Sequence, residues 1–271
     1  MSSAWRVTQR HIIGIVIAGL GAGLCLSPEQ GRTESCSLLR DHAGLTFPVE
    51  RVDPAWACRL QAIIQNNSIE SQLGPIRTTL SGALYRYLLD HPSFTAALIR
   101  RLNLGLYQSE ERGLGRFWGD DGEGSKGIVE LVYEDPISRI YFLEGTHESR
   151  LLPHVTGKAV VFLRIGVMQD EHSNETTAST LVAYTKLDNP FFSGLASLLH
   201  PLVSKLATNR LKKGVKTVDR LGITMRENPQ RVLSEAQNPP SLPEEQVAFL
   251  KQVLSSRDSP DNGSSDGRSI P

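Results

Sequence analysis

The sequence predicts an α+β fold: a curved antiparallel sheet with helices ahead of it and a long C-terminal helix laid across it. Three observations carry this. Apolar residues recur at helical spacing on both sides of Pro92. Between residues 104 and 187 the period shortens to that of strands, with polar, glycine-bearing turns and no crossover helix, so neighbours pair antiparallel. After Asn189-Pro190, the residues Leu195, Leu198, Leu199, Leu202 and Leu206 make one apolar helical stripe.

Residues 1–30 read as an export segment. Arg6 and Arg10 precede an apolar run from Ile12 to Leu26, roughly 15 residues, which fits a signal-peptide core and is short for a spanning helix. Gly21-Ala22-Gly23 offers small residues for cleavage, and an uncleaved anchor is the other reading. Cys25 raises the question of lipidation, against which Leu24 stands where a small residue is wanted. Either way the bulk of the chain is expected outside the cytoplasm, periplasmic or membrane-anchored. Export leaves Cys36 and Cys58 as a pair in an oxidising space. A disulfide between them closes a loop of about 20 residues, with a chain-entropy gain of roughly 3 kcal/mol. Two unrelated buried thiols are the alternative.

Residues 31–77 read as a helical and loop-rich extension. Trp56, Leu60, Ile63 and Ile64 fit a helix over 54–65, with Asp53 as its cap and Pro54 in its first turn. Residues 78–230 form the main domain. Its first helix covers 78–90, with Leu80, Leu84, Tyr87 and Leu88 on one face, and a second follows over 93–102. Extended segments are expected at 104–107, 113–118, 127–133 and 139–148. The clearest strands are 158–168, with Val161, Leu163, Ile165 and Val167 on one face, and 176–187, with Leu181 and Ala183 opposite Val182 and Tyr184. Pro201 should kink or split the long helix. Residues 231–271 read as a linker, a short helix capped by Ser241 and Glu244, and a disordered Ser/Gly-rich tail.

Chemistry is sparse. The chain of 271 residues has 29 basic and 29 acidic side chains; this balance argues against a general nucleic-acid binder. There is no nucleophile elbow and no paired-histidine zinc motif. The glycines of residues 119–126 sit near phosphate-loop spacing, but the lysine order is inverted and the segment reads as a turn. Its acids lack the calcium ladder. No metal and no cofactor is implied. His147 and His154, with Glu144 and Glu148, are either an acid–base or metal cluster or solvated strand ends. Arg164 either holds a ligand's anionic group in a cavity or lies on a wet strand face. Lys205, Arg210, Lys212, Lys213, Lys216 and Arg220 make a basic helix, read as a solvated face or as a dock for an anionic membrane.

Two short helices, a run of antiparallel strands and a long closing helix resemble the helix-grip fold of the START-like lipid-transfer and polyketide-cyclase superfamily. The resemblance covers residues 78–222 and is one of topology without a signature motif. Members usually begin with a strand before the paired helices, which is not evident here. The resemblance implies an apolar ligand held between sheet and long helix; no catalytic residue carries over. The expected walls are Val161, Leu163, Ile165, Leu181, Leu198 and Leu202, with Arg164 and Tyr184 as polar members. The leading expectation is a non-catalytic exported carrier for a lipid or other apolar small molecule. The alternatives are a cyclase- or hydrolase-type enzyme, needing Arg164, Tyr184 or Glu144 inside the cavity, and a structural or adaptor protein with a filled core.

Overall fold

The computed structural model describes residues 36–148, 154–171, 173–188 and 192–255, with only the backbone of 192–203. Residues 1–30, read from the sequence as an export segment, and the Ser/Gly-rich tail lie outside the described residues. The fold is α+β, built on a large antiparallel sheet with six α-helices among the described residues.

The chain first forms a small hairpin, β1 (Asp41–His42) and β2 (Leu45–Thr46). Its two-residue link, Ala43-Gly44, takes φ of 49° and 79°, the left-handed pair that matches the twist of a short hairpin. Helix α1 (Pro54–Gln65) follows, and Asp53 accepts a hydrogen bond from the Ala55 amide at 2.8 Å, as a cap should. Cys36 and Cys58 form a disulfide that ties the start of this segment to α1.

Next comes β3 (Ile69–Thr78), the strand missing from the sequence reading. It pairs antiparallel with the last strand and breaks register between Leu73 and Ile76. Gly74 makes that bulge feasible: its φ is 129°, and a Cβ there would fall 2.7 Å from the Ser179 carbonyl oxygen. Because β3 is an edge strand, Pro75 can sit in it. The main domain therefore begins before residue 78, and 36–255 belong to one unit.

Helices α2 (Gly82–Asp90) and α3 (Pro92–Arg101) flank His91, as the spacing around Pro92 predicts. Ser81 caps α2, accepting from the Leu84 amide at 3.3 Å. Then the chain runs through β4 (Gln108–Gly113), β5 (Arg116–Asp120), β6 (Ser125–Glu134), β7 (Ser138–His147), β8 (Val155–Gln169) and β9 (Glu175–Leu187). The sheet order is β3-β9-β8-β7-β6-β5-β4. Residues 104–107, expected as extended, precede β4 as a connection.

Helix α4 (Phe192–Glu227) is continuous through Pro201, so the split that is one of the two expectations there does not occur. A proline removes one backbone hydrogen bond at about 3 kcal/mol, which a helix of 36 residues tolerates. Residues read as linker contain α5 (Pro229–Gln237), and α6 (Glu244–Ser255) closes the described chain. Arg101 of α3 donates to the carbonyls of Glu235, at 2.7 Å, and Asn238, at 2.9 Å, satisfying the end of α5.

The sheet carries a different layer on each face. On one, Ile140, Phe142, Val160, Phe162, Val182 and Tyr184 pack against Phe47, Leu60 and Ile63 of the N-terminal segment. On the other, α2 and α3 form a core with Leu163, Ile165, Leu221 and Met225, covered further by α5 and α6.

Candidate ligand cavity

The inner face of the sheet is only partly filled. Between it and α2, α3 and α4 lies a cavity of about 1390 Å³. Its walls include Val129 and Leu131 of β6, Tyr141 and Leu143 of β7, Ala159, Val161 and Leu163 of β8, and Leu181 of β9. Leu211, Val215 and Val218 of α4 and Tyr85, Leu88 and Ile99 of the paired helices face them.

Strand alternation explains why two environments share one sheet. In β7, Ile140 and Phe142 point outward and are 0% and 1% exposed, while Tyr141 and Leu143 point inward and are half-buried. In β9, Val182 is buried on the outside and Leu181 half-buried on the inside. Apolar side chains on central strands normally lose nearly all contact with water. Here Val129, Leu131, Leu143 and Leu181 keep some of it, while Leu163 and Ile165 on β8 do not.

Of the expected wall residues, Val161, Leu163 and Leu181 line this space. Ile165 shares their face but is 2% exposed and packed in the core with α2 and α3. Leu198 and Leu202 belong to α4, but their side chains lie outside the described residues. Arg164 and Tyr184 face the opposite way, and their inclusion as inward residues is corrected. With Leu163 and Ile165 inward, the pleat forces Arg164 outward. It donates to Ser138 Oγ at 3.1 Å and to the Thr46 carbonyl, and sits over Phe47 at 5.3 Å, fastening the β1–β2 hairpin. The Tyr184 hydroxyl meets His42 Nδ1 at 3.2 Å in the outer core. Glu144 pairs with Arg59 of α1 at 3.5 Å and Lys158 at 3.6 Å. Of the polar groups named for the enzyme reading, Arg164 and Tyr184 are thus engaged in the outer layer, while Glu144 and its ion-pair partner Lys158 border the cavity.

The cavity has polar groups of its own, which the sequence reading did not single out. Arg139 is almost fully buried and donates to Asp90 at 2.6 Å. Glu134 stands 3.4 Å away and the Tyr141 hydroxyl 3.4 Å. Burial opposes the Arg139 charge, but Tyr141 and Asp90 outweigh it and hold its pKa above the usual value. Burial pushes the hydroxyls of Tyr85 and Tyr141 up, against smaller opposing effects of Ser179 and Arg139. Desolvation likewise raises Asp219 on α4, against Arg226.

Further along α4, Arg210 pairs with Glu123, and with Asp121 at 3.6 Å, while Lys213 pairs with Glu123. These two cations, read as membrane-facing, are turned to the β5–β6 turn. Lys205, Lys212, Lys216 and Arg220 stay exposed. None has an ion pair among the described residues. His147 Nδ1 lies 3.0 Å from Ser125 Oγ, and His154 Nδ1 lies 2.8 Å from Glu148. Among the described residues, no group of three His, Cys, Asp or Glu could hold a metal ion, and no helix is long and apolar enough to cross a membrane.

The chain matches no family model and no curated protein. Among solved structures it is similar to a conserved protein from Geobacillus kaustophilus, at 13% identity and a TM-score of 0.43, over 58% of this chain and 95% of that one. Nothing about function follows from so distant a likeness.

Proposed function

We propose that the protein binds or carries an apolar small molecule, a lipid among the candidates, in the cavity between its sheet and α4. The observation that carries this is the half-buried state of Leu143, Leu131, Val129 and Leu181 around a space of about 1390 Å³. Leaving such side chains partly wet in the middle of a sheet forgoes about 25 cal/mol for each Å² of apolar surface, which a ligand would recover. We read the fold as helix-grip-like: a first strand at the sheet edge beside the last, two helices after it, and a long final helix support that. The disulfide is compatible with an exported protein. In the same reading, Lys205, Lys212, Lys216 and Arg220 face an anionic membrane, each contributing about 1 kcal/mol near the surface.

The test is titration of the purified protein with an environment-sensitive acyl probe, with and without vesicles. Saturable binding that Leu143→Trp abolishes supports the carrier. No probe binding by the parent protein removes it. For the membrane, co-sedimentation with phosphatidylglycerol vesicles should fall when Lys205, Lys212 and Lys216 are changed to Gln; equal sedimentation of parent and variant would remove that part alone.

A further inference from the structure

One end of the cavity gathers hydroxyl groups around a buried arginine. Tyr85 of α2, Tyr141 of β7 and Ser179 of β9 bring hydroxyls beside Leu88, Leu163 and Leu181, with Asp90 and Glu134 also on the lining. Behind them lies Arg139, whose side chain is 4% exposed and so cannot be a general surface charge. Its guanidinium is held by Asp90 at 2.6 Å and approached by Glu134 at 3.4 Å. Two carboxylates facing one cation leave the cluster with a net negative charge. An anionic ligand group would therefore be repelled; the Arg139 Nε has no hydrogen-bond partner among the described residues, but it is fully buried and out of a ligand's reach.

The tyrosines are different. The Tyr141 oxygen accepts from Arg139 Nη1 at 3.4 Å. Among the described residues it donates to no protein group, so its proton is available towards the cavity. An O–H whose oxygen faces a guanidinium is polarised and is a better donor for it. A buried donor of this kind costs stability when unpaired and discriminates strongly for a ligand that pairs it.

We propose that this end of the cavity is a recognition subsite for an uncharged hydrogen-bond-accepting group, an ester, amide or ketone carbonyl, on an otherwise apolar ligand, with the Tyr141 hydroxyl as principal donor and Tyr85 beside it. This rests on the cavity being a ligand site. It narrows the ligand class to neutral acyl derivatives rather than free fatty acids or phosphates.

The experiment is displacement of a bound acyl probe from the full chain by three competitors of equal chain length: a methyl ester, the free carboxylate and the alkane. The ester should displace best, by about fivefold over the alkane, as one hydrogen bond provides, with the carboxylate at pH 8 weaker than the ester. Tyr141→Phe should bring ester and alkane together. Equal displacement by ester and alkane, or a preference for the carboxylate, overturns the subsite while the carrier reading survives. Absence of probe binding overturns both. Should Tyr141→Phe fold poorly by circular dichroism, the ranking of the three competitors on the parent protein still decides.

Discussion

Leucines on opposite sides of the sheet should respond differently to truncation. Leu60 of α1 is 0% exposed in the outer core. Leu60→Ala should leave a void there and cost about 3–5 kcal/mol. Leu143 borders a space of about 1390 Å³ and is half-buried. Fully burying the three carbons lost in Leu→Ala is worth about 2.4 kcal/mol, half of it about 1.2, and no new void term arises beside an existing cavity. The difference of about 2 kcal/mol or more corresponds to roughly 4–8 °C in melting temperature for a chain of this size. Leu143→Trp completes the set. A filled core would lose about 1–3 kcal/mol to overpacking, whereas a cavity of this volume should accept the ring with less loss and bind an acyl probe at least tenfold more weakly. Urea unfolding and probe titration read both quantities. Equal losses for Leu60→Ala and Leu143→Ala would refute the reasoning, as would an overpacking loss for Leu143→Trp without any change in binding.

Cys58→Ser should lower stability by about 3.4 kcal/mol, the chain-entropy value for a separation of 22 residues; complete alkylation of both cysteines in unreduced protein would contradict the bridge. His42 is buried, stacked on Phe162 at 3.9 Å, and burial lowers its pKa from 6.5 against the Leu39 carbonyl and Asp41. Its contribution is therefore complete above the unfolded value of 6.5 and is lost as pH falls below it towards the depressed folded value. His42→Gln should flatten the fall in melting temperature between pH 7.5 and 5 by comparison with the parent; identical slopes would show that another group is responsible.

Much of the sheet was legible because its strands alternate. Val161, Leu163 and Ile165 predict their shared face, and the same pleat predicts that Arg164 and Tyr184 look the other way. What sequence could not supply was a cover for that outer face. Residues 36–52 have no period, and their position follows from a disulfide, a two-residue hairpin and contacts such as Arg164 to the Thr46 carbonyl. Strand β3 was hidden by Gly74-Pro75, a pair that reads as a turn unless the strand lies at an edge and carries a bulge. Helix α5 was hidden by the prolines and asparagines around it, and its satisfied end depends on Arg101 from a distant helix. The polar end of the cavity was invisible for a similar reason: Arg139 and Tyr141 lie two residues apart on β7, but Asp90 ends α2 some fifty residues earlier, and only the fold brings it to them.

The pairing of β3 with β9 sets an order for folding. Ile69 partners Thr185 and Thr78 partners Thr177, so the first strand of the sheet has no hydrogen-bonding neighbour until the last has been made. The intervening hairpins close locally and can form early, but their union with β3 requires closing a loop of about a hundred residues, the slow, high-contact-order step of such a topology. The segment up to α3 is therefore no autonomous folding unit. During refolding, pulse-labelled amides of β3 should gain protection no sooner than those of β9, and until then the β9 edge stands open to pairing with another chain.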